Sequence, residues 1–272
     1  MIKDDPFSSL AFIRETGNYS SRNASKGAML PEFYRLITGL GKDHSKAIAK
    51  ELIFASNILN KNTYENRRAI WNRLNHRYFK INSEWIVNRF VKASAYGIGS
   101  NDFISLSYLY YALRDRVTYD FVDSTVWSKW NSGITTIDPG DFINFLNNAQ
   151  EKAPELNSWR ETTRNKMASI TLSALRDFGL LSGTAIKHIQ RPTISSETVF
   201  HLLAILWAEG KRGRALLEAE DWKLFLWNDT DTTNALIRLS QLSWIKFERG
   251  GQTVILEMIR TPEIAWEDAH GI

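Results

Sequence analysis

The chain of 272 residues is 43% hydrophobic and contains ten tryptophans and fourteen phenylalanines, which is enough apolar material for a substantial core. It has no cysteine, so disulfide bonds, thiolate metal sites and cysteine nucleophiles are excluded. The sequence shows no window with the ~18 consecutive apolar residues of a membrane-spanning helix, and no signal-like segment. We therefore expect a soluble cytoplasmic protein without membrane contact.

The formal net charge is only +4, but the charges are separated along the sequence. Residues 1–92 carry sixteen Lys/Arg and eight Asp/Glu, and residues 158–191 carry six and two. Residues 93–157 and 192–272 each have four more acidic than basic residues. The two basic segments favour a polyanionic partner such as nucleic acid, whereas the acidic segments would repel a phosphate backbone.

Two helices are predicted after a polar N-terminal arm at residues 1–24, which we expect to be flexible and loosely docked. Ser25 is the predicted N-cap of a helix ending near Leu40, and Ser45 is the predicted N-cap of a helix ending near Leu59. With a basic third helix they have the layout of a helix-turn-helix unit, although three-helix bundles of other functions share it.

The third predicted helix runs from Thr63 to Lys80 and is strongly basic. Ile70, Trp71 and Leu74 recur at the spacing that keeps one helix face in the core. Other positions are predicted to form an outward face that can follow a phosphate backbone, although a solvated charged face is an equally good interpretation of this helix alone. The candidate DNA-binding residues are Arg67, Arg68, Arg73, Arg77 and Lys80, of which Arg73, Arg77 and Lys80 are expected to share one face.

Residues 83–150 are predicted to be helical and aromatic, and to complete an N-terminal helical domain at residues 25–157. Asp138 precedes Pro139, which is a favourable start for one of these helices. Tyrosines in this segment could stack on nucleic-acid bases, but the acidic balance favours core packing instead. The tyrosines concerned are Tyr108, Tyr110, Tyr111 and Tyr119.

A second helical domain with winged-helix-like units is predicted at residues 158–272. Its first helix is expected to be capped by Thr162 or Thr163 and to end at Phe178. The face of this helix opposite the apolar stripe offers amide, hydroxyl and cationic side chains, which are the groups that contact base edges and phosphates. The candidate DNA-binding residues are Asn165, Lys166, Ser169 and Arg176.

The C-terminal segment predicts a helix followed directly by a β-hairpin, which is a winged-helix layout. Asp231 or Thr232 is the predicted N-cap of the helix. The stretch from Trp244 to Met258 contains two alternating runs on either side of Gly250 and Gly251, where the hairpin is expected to turn.

The sequence offers little support for catalysis. Asp229-Thr-Asp-Thr-Thr233 resembles the opening motif of haloacid-dehalogenase phosphatases, but the roughly forty residues after it cannot supply the remaining machinery, and helix capping explains the aspartates. The five histidines lack metal-ligand spacing, and neither a glycine-rich phosphate loop nor a nucleophile elbow is present. We expect no enzyme activity, cofactor, metal site or small-molecule substrate.

Several short stretches of the chain resemble BrxA, a core component of bacteriophage-exclusion (BREX) defence systems. The resemblance is carried by Ser25-Lys-Gly-Ala-Met-Leu-Pro-Glu-Phe33, Ala55-Ser-Asn-Ile-Leu-Asn-Lys61, Arg67-Arg-Ala-Ile-Trp-Asn-Arg-Leu-Asn-His-Arg77, Trp159-Arg-Glu-Thr-Thr-Arg-Asn-Lys166 and Leu175-Arg-Asp-Phe-Gly-Leu-Leu181. It extends from about Tyr19 to Trp266.

The resemblance implies a mostly helical protein with helix-turn-helix modules that binds double-stranded DNA without catalysis and works with other BREX components. The two basic segments and the predicted basic helix also favour a DNA-binding accessory protein. A protein-interaction scaffold whose helical modules contact partner subunits instead of DNA is the alternative, and an enzyme ranks third.

Overall fold

A computed structural model describes residue 10 and residues 13–80, 84–251 and 253–261 of the chain. The fold is mainly α, as predicted from the sequence. Within the described ranges the α-helices are α1 Leu30–Thr38, α2 Lys46–Phe54, α3 Tyr64–Leu74, α4 Glu84–Ser94, α5 Asn101–Leu113, α6 Arg116–Phe121, α7 Trp127–Asn131, α8 Pro139–Ala149, α9 Glu161–Asp177, α10 Ser196–Ala208, α11 Arg214–Leu217 and α12 Asp229–Gln241.

Short irregular helices and small sheets connect these elements. Turns of 3₁₀ helix lie at Ser21–Ser25, Pro154–Ser158 and Glu220–Phe225, and π-helical turns extend α3 at Asn75–Phe79 and α6 at Val122–Val126. The strands are β1 Thr136–Ile137, β2 Leu181–Ser182, β3 Lys187–Ile189, β4 Ile245–Gly250 and β5 Thr253–Met258. Antiparallel pairing gives one sheet in the order β1-β3-β2 and a separate β4-β5 hairpin.

Helices α5 and α10 form the centre of the molecule. Every residue from 105 to 113 and from 197 to 206 is buried, as expected for helices that neighbouring elements cover on all sides. The prediction that Tyr108, Tyr110 and Tyr111 belong to the core is confirmed, and Tyr119 is half-buried. The Tyr108 hydroxyl donates a hydrogen bond of 2.8 Å to the Leu224 carbonyl oxygen, so the C-terminal part of the chain also contacts this centre.

The predicted loosely docked arm is wrong for residues 13–24, which contact several elements of the fold. Ile13 and Tyr19 are buried, and the Arg114 guanidinium donates to the Ile13 carbonyl oxygen at 2.9 Å. The Tyr19 hydroxyl donates to Asp120 Oδ2 at 2.6 Å. Polar composition suggested an exposed arm, but its few apolar residues are placed in the core by long-range contacts.

Some helix starts follow from capping residues and others do not. Ser45 and Thr63 cap α2 and α3 at the predicted starts, and Asp138, which precedes the predicted first-turn Pro139, caps α8. Ser25 does not cap α1, because this helix begins after Met29, which adopts a left-handed conformation with φ 58° and makes no side-chain cap. Helices α9 and α12 begin earlier than predicted, whereas α1 begins later. The N-caps of α9 and α12 are Arg160 and Asn228, of which Asn228 makes a side-chain cap.

The predicted C-terminal hairpin is confirmed, with one difference at its turn. Gly250 is the last residue of β4 and pairs with Thr253, so the turn follows Gly250 and does not include it. Gly251 has φ +57°, a left-handed value that glycine tolerates better than residues with a Cβ atom. The helix-turn-helix and winged-helix interpretations and the division into two domains remain predictions.

In the part of the chain that the structure describes, none of the helices combines the length and the hydrophobicity needed to cross a lipid bilayer.

Candidate nucleic-acid interface

Helix α3 presents its apolar face to the core as predicted. Ile70, Trp71 and Leu74 are all buried. Arg68 is exposed on the helix, and Lys80 is exposed just after the π-helical turn that extends it. Arg67 is half-buried. These cations therefore remain candidates for contact with phosphate.

The expectation that Arg77 faces outward with Arg73 and Lys80 is wrong. Its side chain is 1% exposed and sits at 4.5 Å from the Tyr111 ring centroid. The guanidinium donates hydrogen bonds to Asn23 Oδ1 at 2.6 Å and to the Gly27 carbonyl oxygen at 2.8 Å, with longer bonds to the carbonyl oxygens of Lys26 and Ala28. Arg77 is thus a structural residue that fixes the backbone of residues 23–28.

Arg77 is buried because the chain segment of residues 20–28 covers this side of the helix. The same segment half-buries Arg73, whose guanidinium hydrogen-bonds to Ser25 Oγ and to the Ala69 carbonyl oxygen. Helical spacing alone predicts which residues share a face, but it does not reveal that another segment occupies that face. The π-helical turn at Asn75–Phe79 further changes the direction of Arg77 relative to a continuous α-helix.

His76, in the π-helical turn after α3, contacts the N-terminal segment at Glu15 and Arg22. It is half-buried, its Nε2 atom lies 3.2 Å from Glu15 Oε2, and it also contacts the Arg22 guanidinium. Burial and the nearby charges of Arg22 and Arg114 lower the pKa of His76 to about 4, so the ring is neutral at physiological pH. Its role here is to join the N-terminal segment to the end of the basic helix.

Helix α9 exposes part of its predicted polar face. Asn165, Lys166 and Ser169 are exposed, whereas Arg176 is half-buried and donates to Ser173 Oγ and Asp177 Oδ1. The ion pair of Arg176 with Asp177, at 3.2 Å, reduces its value as a phosphate ligand. The exposed amide, ammonium and hydroxyl of the first three residues keep the chemistry needed for base and phosphate contacts.

The structure brings the two predicted basic faces to the same chain segment. A Cβ atom at Gly27 would lie 3.6 Å from the Ile170 carbonyl oxygen and 3.7 Å from Ala174 Cβ, so the segment passes closely over α9. On its other side the segment is held by Arg73 and Arg77 of the basic helix. A cleft of about 400 Å³ marks the junction with α9 and is lined by residues that include Lys26, Ser169 and Ser173.

The charge of this region is largely uncompensated. Residues 20–80 contain twelve Lys/Arg and four Asp/Glu. Among the described lysines and arginines of this range, Lys61 alone has a carboxylate within ion-pair distance. Its Nζ atom lies 3.3 Å from Glu32 Oε1. Uncompensated cations on one part of a surface create a positive potential that attracts polyanions.

Helix α2 adds two cations that the sequence interpretation missed. Lys46 and Lys50 are exposed, while Ala49 and Ile53 face the core. The signal was present, because lysines four residues apart on a capped helix share one face. Helix α2 packs against α3, where the rings of Phe54 and Tyr64 lie 5.3 Å apart between centroids.

A buried ionisable cluster lies elsewhere, between α4 and α10. Arg89 Nε is 3.8 Å from Glu197 Oε1, and His201 Nε2 is 3.6 Å from the same oxygen. Burial lowers the pKa of His201 well below its usual value, and Tyr110 hydrogen-bonds to its Nδ1 atom at 2.9 Å. These side chains are 6% exposed or less, so a substrate could not reach them without opening the core. Within the described ranges, no group of three or more His, Cys, Asp or Glu residues is arranged to hold a metal ion.

Comparison with known protein families gives a match that spans both candidate helices. Residues 17–206 match a model of the BrxA family. The chain belongs to the BrxA family. The resemblance inferred from short sequence stretches is thereby confirmed, although the family match ends at residue 206 and does not extend to Trp266. Helices α3 and α9 both lie inside the matched BrxA span.

The chain is also similar to individual proteins. The BREX protein BrxA of Bacillus cereus (strain H3081.97) is 23% identical over 189 residues, which make up 69% of this chain and 91% of that protein. The crystal structure of an uncharacterized protein from Magnetospirillum magneticum matches with a TM-score of 0.58 at 15% identity, over 78% of this chain and 100% of that one. This second likeness shows the fold alone. Helices α11 and α12 and the hairpin lie beyond the residues matched by the BrxA model.

Proposed function

We propose that this BrxA-family protein is a non-catalytic accessory protein of a BREX phage-defence system that binds double-stranded DNA. The observation that carries the proposal is the excess of eight positive charges in residues 20–80, with little local compensation. Electrostatic attraction to phosphates supplies most of the affinity of sequence-independent DNA binding.

The proposed DNA-binding surface combines two parts joined by residues 20–28. The first part comprises α2 and α3 with Lys46, Lys50, Arg68 and Lys80, all of which are exposed. The second is the exposed polar face of α9, and both parts contact the connecting segment. Arg77 contributes indirectly in this proposal, because it fixes the segment between the two parts.

A salt titration tests the proposal. We expect a fluorescently labelled duplex of arbitrary sequence to bind with a log–log salt slope of about −4.5 if about five phosphates are neutralised. That slope corresponds to a loss of roughly 500-fold in affinity between about 50 and about 200 mM salt. Absence of binding at the lower salt concentration, or a slope near zero, would contradict DNA binding.

Matched variants locate the surface. Replacing Arg68 and Lys80 together by Ala should reduce the steepness of the salt slope by about 2, because each lost phosphate contact contributes about 0.9. The control removes two exposed arginines, Arg212 and Arg238, from the C-terminal acidic part of the chain and should leave the slope unchanged. Equal effects of both pairs would show that net charge alone, and not this surface, determines binding.

The alternative is a scaffold that joins BREX proteins without touching DNA. It is supported by apolar side chains exposed in the C-terminal part, where Ile237 is 42%, Leu242 is 44% and Ile259 is 56% exposed. A scaffold predicts that Arg68 and Lys80 are dispensable, whereas replacing Ile237 and Leu242 by Ser abolishes co-purification with the other BREX proteins. DNA binding predicts the opposite pattern.

A further inference from the structure

The hairpin leaves one strand edge without a backbone partner among the described residues. β4 and β5 form a separate two-stranded sheet, so each strand has an outer edge. The edge of β5 is approached by the chain before α11, since a Cβ atom at Gly213 would lie 3.3 Å from the Val254 carbonyl oxygen. No described residue forms a backbone hydrogen bond across the outer edge of β4.

The register of the hairpin determines which groups of β4 point outward. The Ile259 N–H donates to the Trp244 carbonyl oxygen at 3.0 Å, so these two residues, which continue the register of the hairpin, face each other with their hydrogen-bonding groups. Because hydrogen-bonded and non-hydrogen-bonded pairs alternate in antiparallel strands, the N–H and C=O groups of Ile245, Phe247 and Arg249 point away from β5. Phe247 is at the centre of this outward set.

The side chains flanking Phe247 carry opposite charges. Lys246 and Glu248 lie on the solvent face of β4, with 48% and 60% of their side chains exposed. In an antiparallel pair of two β4 strands related by a two-fold axis through Phe247, Lys246 of each copy lies opposite Glu248 of the other. Both cross-strand charge pairs are then attractive, and the outward N–H and C=O groups of the two strands lie opposite each other and can form hydrogen bonds.

This pattern differs from the usual protection of an exposed edge. Edges are commonly guarded by lysines or by inward charges that repel a second strand. Alternating signs do not repel in the register centred on Phe247. A shift of one residue would place outward N–H and C=O groups opposite inward ones, and a shift of two residues would oppose Lys246 to Lys246 or Glu248 to Glu248. The sequence of β4 is therefore complementary to itself in one register.

We propose that β4 pairs with β4 of a second copy of this chain, forming a four-stranded antiparallel sheet across a two-fold axis. The interface is isologous, since the same strand edge serves both copies. A single strand edge is a small interface, so the dimer is expected to form at micromolar concentrations and not to be obligate. The proposal does not depend on DNA binding and is tested without DNA.

Charge exchange tests the proposed register. Sedimentation velocity or light scattering on the full chain, over concentrations up to roughly 100 µM, should show a reversible dimer. Glu248→Lys and Lys246→Glu each place like charges opposite one another twice and should weaken dimerisation at least about tenfold. The double variant Lys246→Glu/Glu248→Lys restores both opposite-charge pairs and should recover the dimer.

Each outcome decides the proposal. Both residues are exposed, so circular dichroism and thermal melting should show that all three variants remain folded. A wild-type chain that remains monomeric over the whole concentration range would overturn the proposal. Single variants that dimerise as well as wild type, or a double variant that stays monomeric, would also overturn it.

Discussion

Replacing Arg77 by Met should destabilise the protein strongly, although the sequence alone suggested a surface residue. Methionine keeps much of the aliphatic volume but removes the guanidinium. Asn23 Oδ1, at 2.6 Å, and the Gly27 carbonyl oxygen, at 2.8 Å, then lose a charged donor in a buried environment. The carbonyl oxygens of Lys26 and Ala28 lose the longer bonds at 3.2 and 3.3 Å.

The expected loss is about 3–5 kcal/mol. Each short hydrogen bond from a charged donor contributes about 1.5–3 kcal/mol, and the two longer bonds are counted as minor. The loss of the cation–π contact with Tyr111 adds about 1 kcal/mol, which the retained methionine packing partly offsets. For a chain of this length, the melting temperature should fall by roughly 10 °C.

Urea unfolding and thermal melting measure this loss, with Lys80→Met as the matched control. Lys80 follows the same helix but is exposed, so its substitution should change stability by less than about 0.5 kcal/mol. A melting temperature of Arg77→Met within about 1 °C of wild type would contradict this structural role of Arg77. In that case water, and not Arg77, would satisfy the carbonyl oxygens of residues 26–28.

Three further predictions concern other buried or strained positions. Glu197→Leu should cost about 3–5 kcal/mol because it leaves Arg89 buried without this carboxylate, whereas Arg89→Met/Glu197→Leu should be far less harmful in the same urea assay. Because the folded-state pKa of His76, about 4, lies below its usual value, its contribution is present above about pH 6.5 and is lost as pH falls towards 4. His76→Gln should therefore reduce the change of melting temperature with pH across that range. An unchanged pH dependence would contradict the lowered pKa of His76. Gly183→Ala should lower the free energy of unfolding by more than about 2 kcal/mol, since φ is +83° and the new Cβ would overlap the Ile186 carbonyl oxygen. Gly97→Ala, with φ +96° and open space around it, should lower it by only about 1–2 kcal/mol.

Local signals predicted the starts of α2, α3 and α8, but not that of α12, which Asn228 caps in place of the predicted Asp231 or Thr232. Ser45, Thr63 and Asp138 accept hydrogen bonds from the first turn of their helices, and this geometry depends on neighbouring residues only. The start of α1 after Met29 carries no such signal, because no side chain caps it. Thr162 or Thr163 was the predicted cap of α9, but this helix begins at Glu161 after Arg160, which likewise makes no side-chain cap hydrogen bond.

The candidate interface was predictable in composition but not in exposure. Sequence identified the basic helix and the polar face of α9, and the short stretches shared with BrxA indicated the correct family. The burial of Arg77 depends on residues 23–28, which are about fifty positions away in the sequence. Helical periodicity contains no information about such a distant covering segment, so an arginine in the structural frame could not be distinguished from one on the surface.

The position of α5 and α10 at the centre has a consequence for where this chain can be shortened. The match to the BrxA family model ends at residue 206, which would be a natural place to truncate the chain. The central helices nevertheless depend on later residues, since Tyr108 donates to Leu224 and the rings of Phe200 and Trp244 lie 5.5 Å apart between centroids. Removing the part after residue 206 would expose a wide apolar surface. The end of the family match is therefore not the end of an independently folding unit.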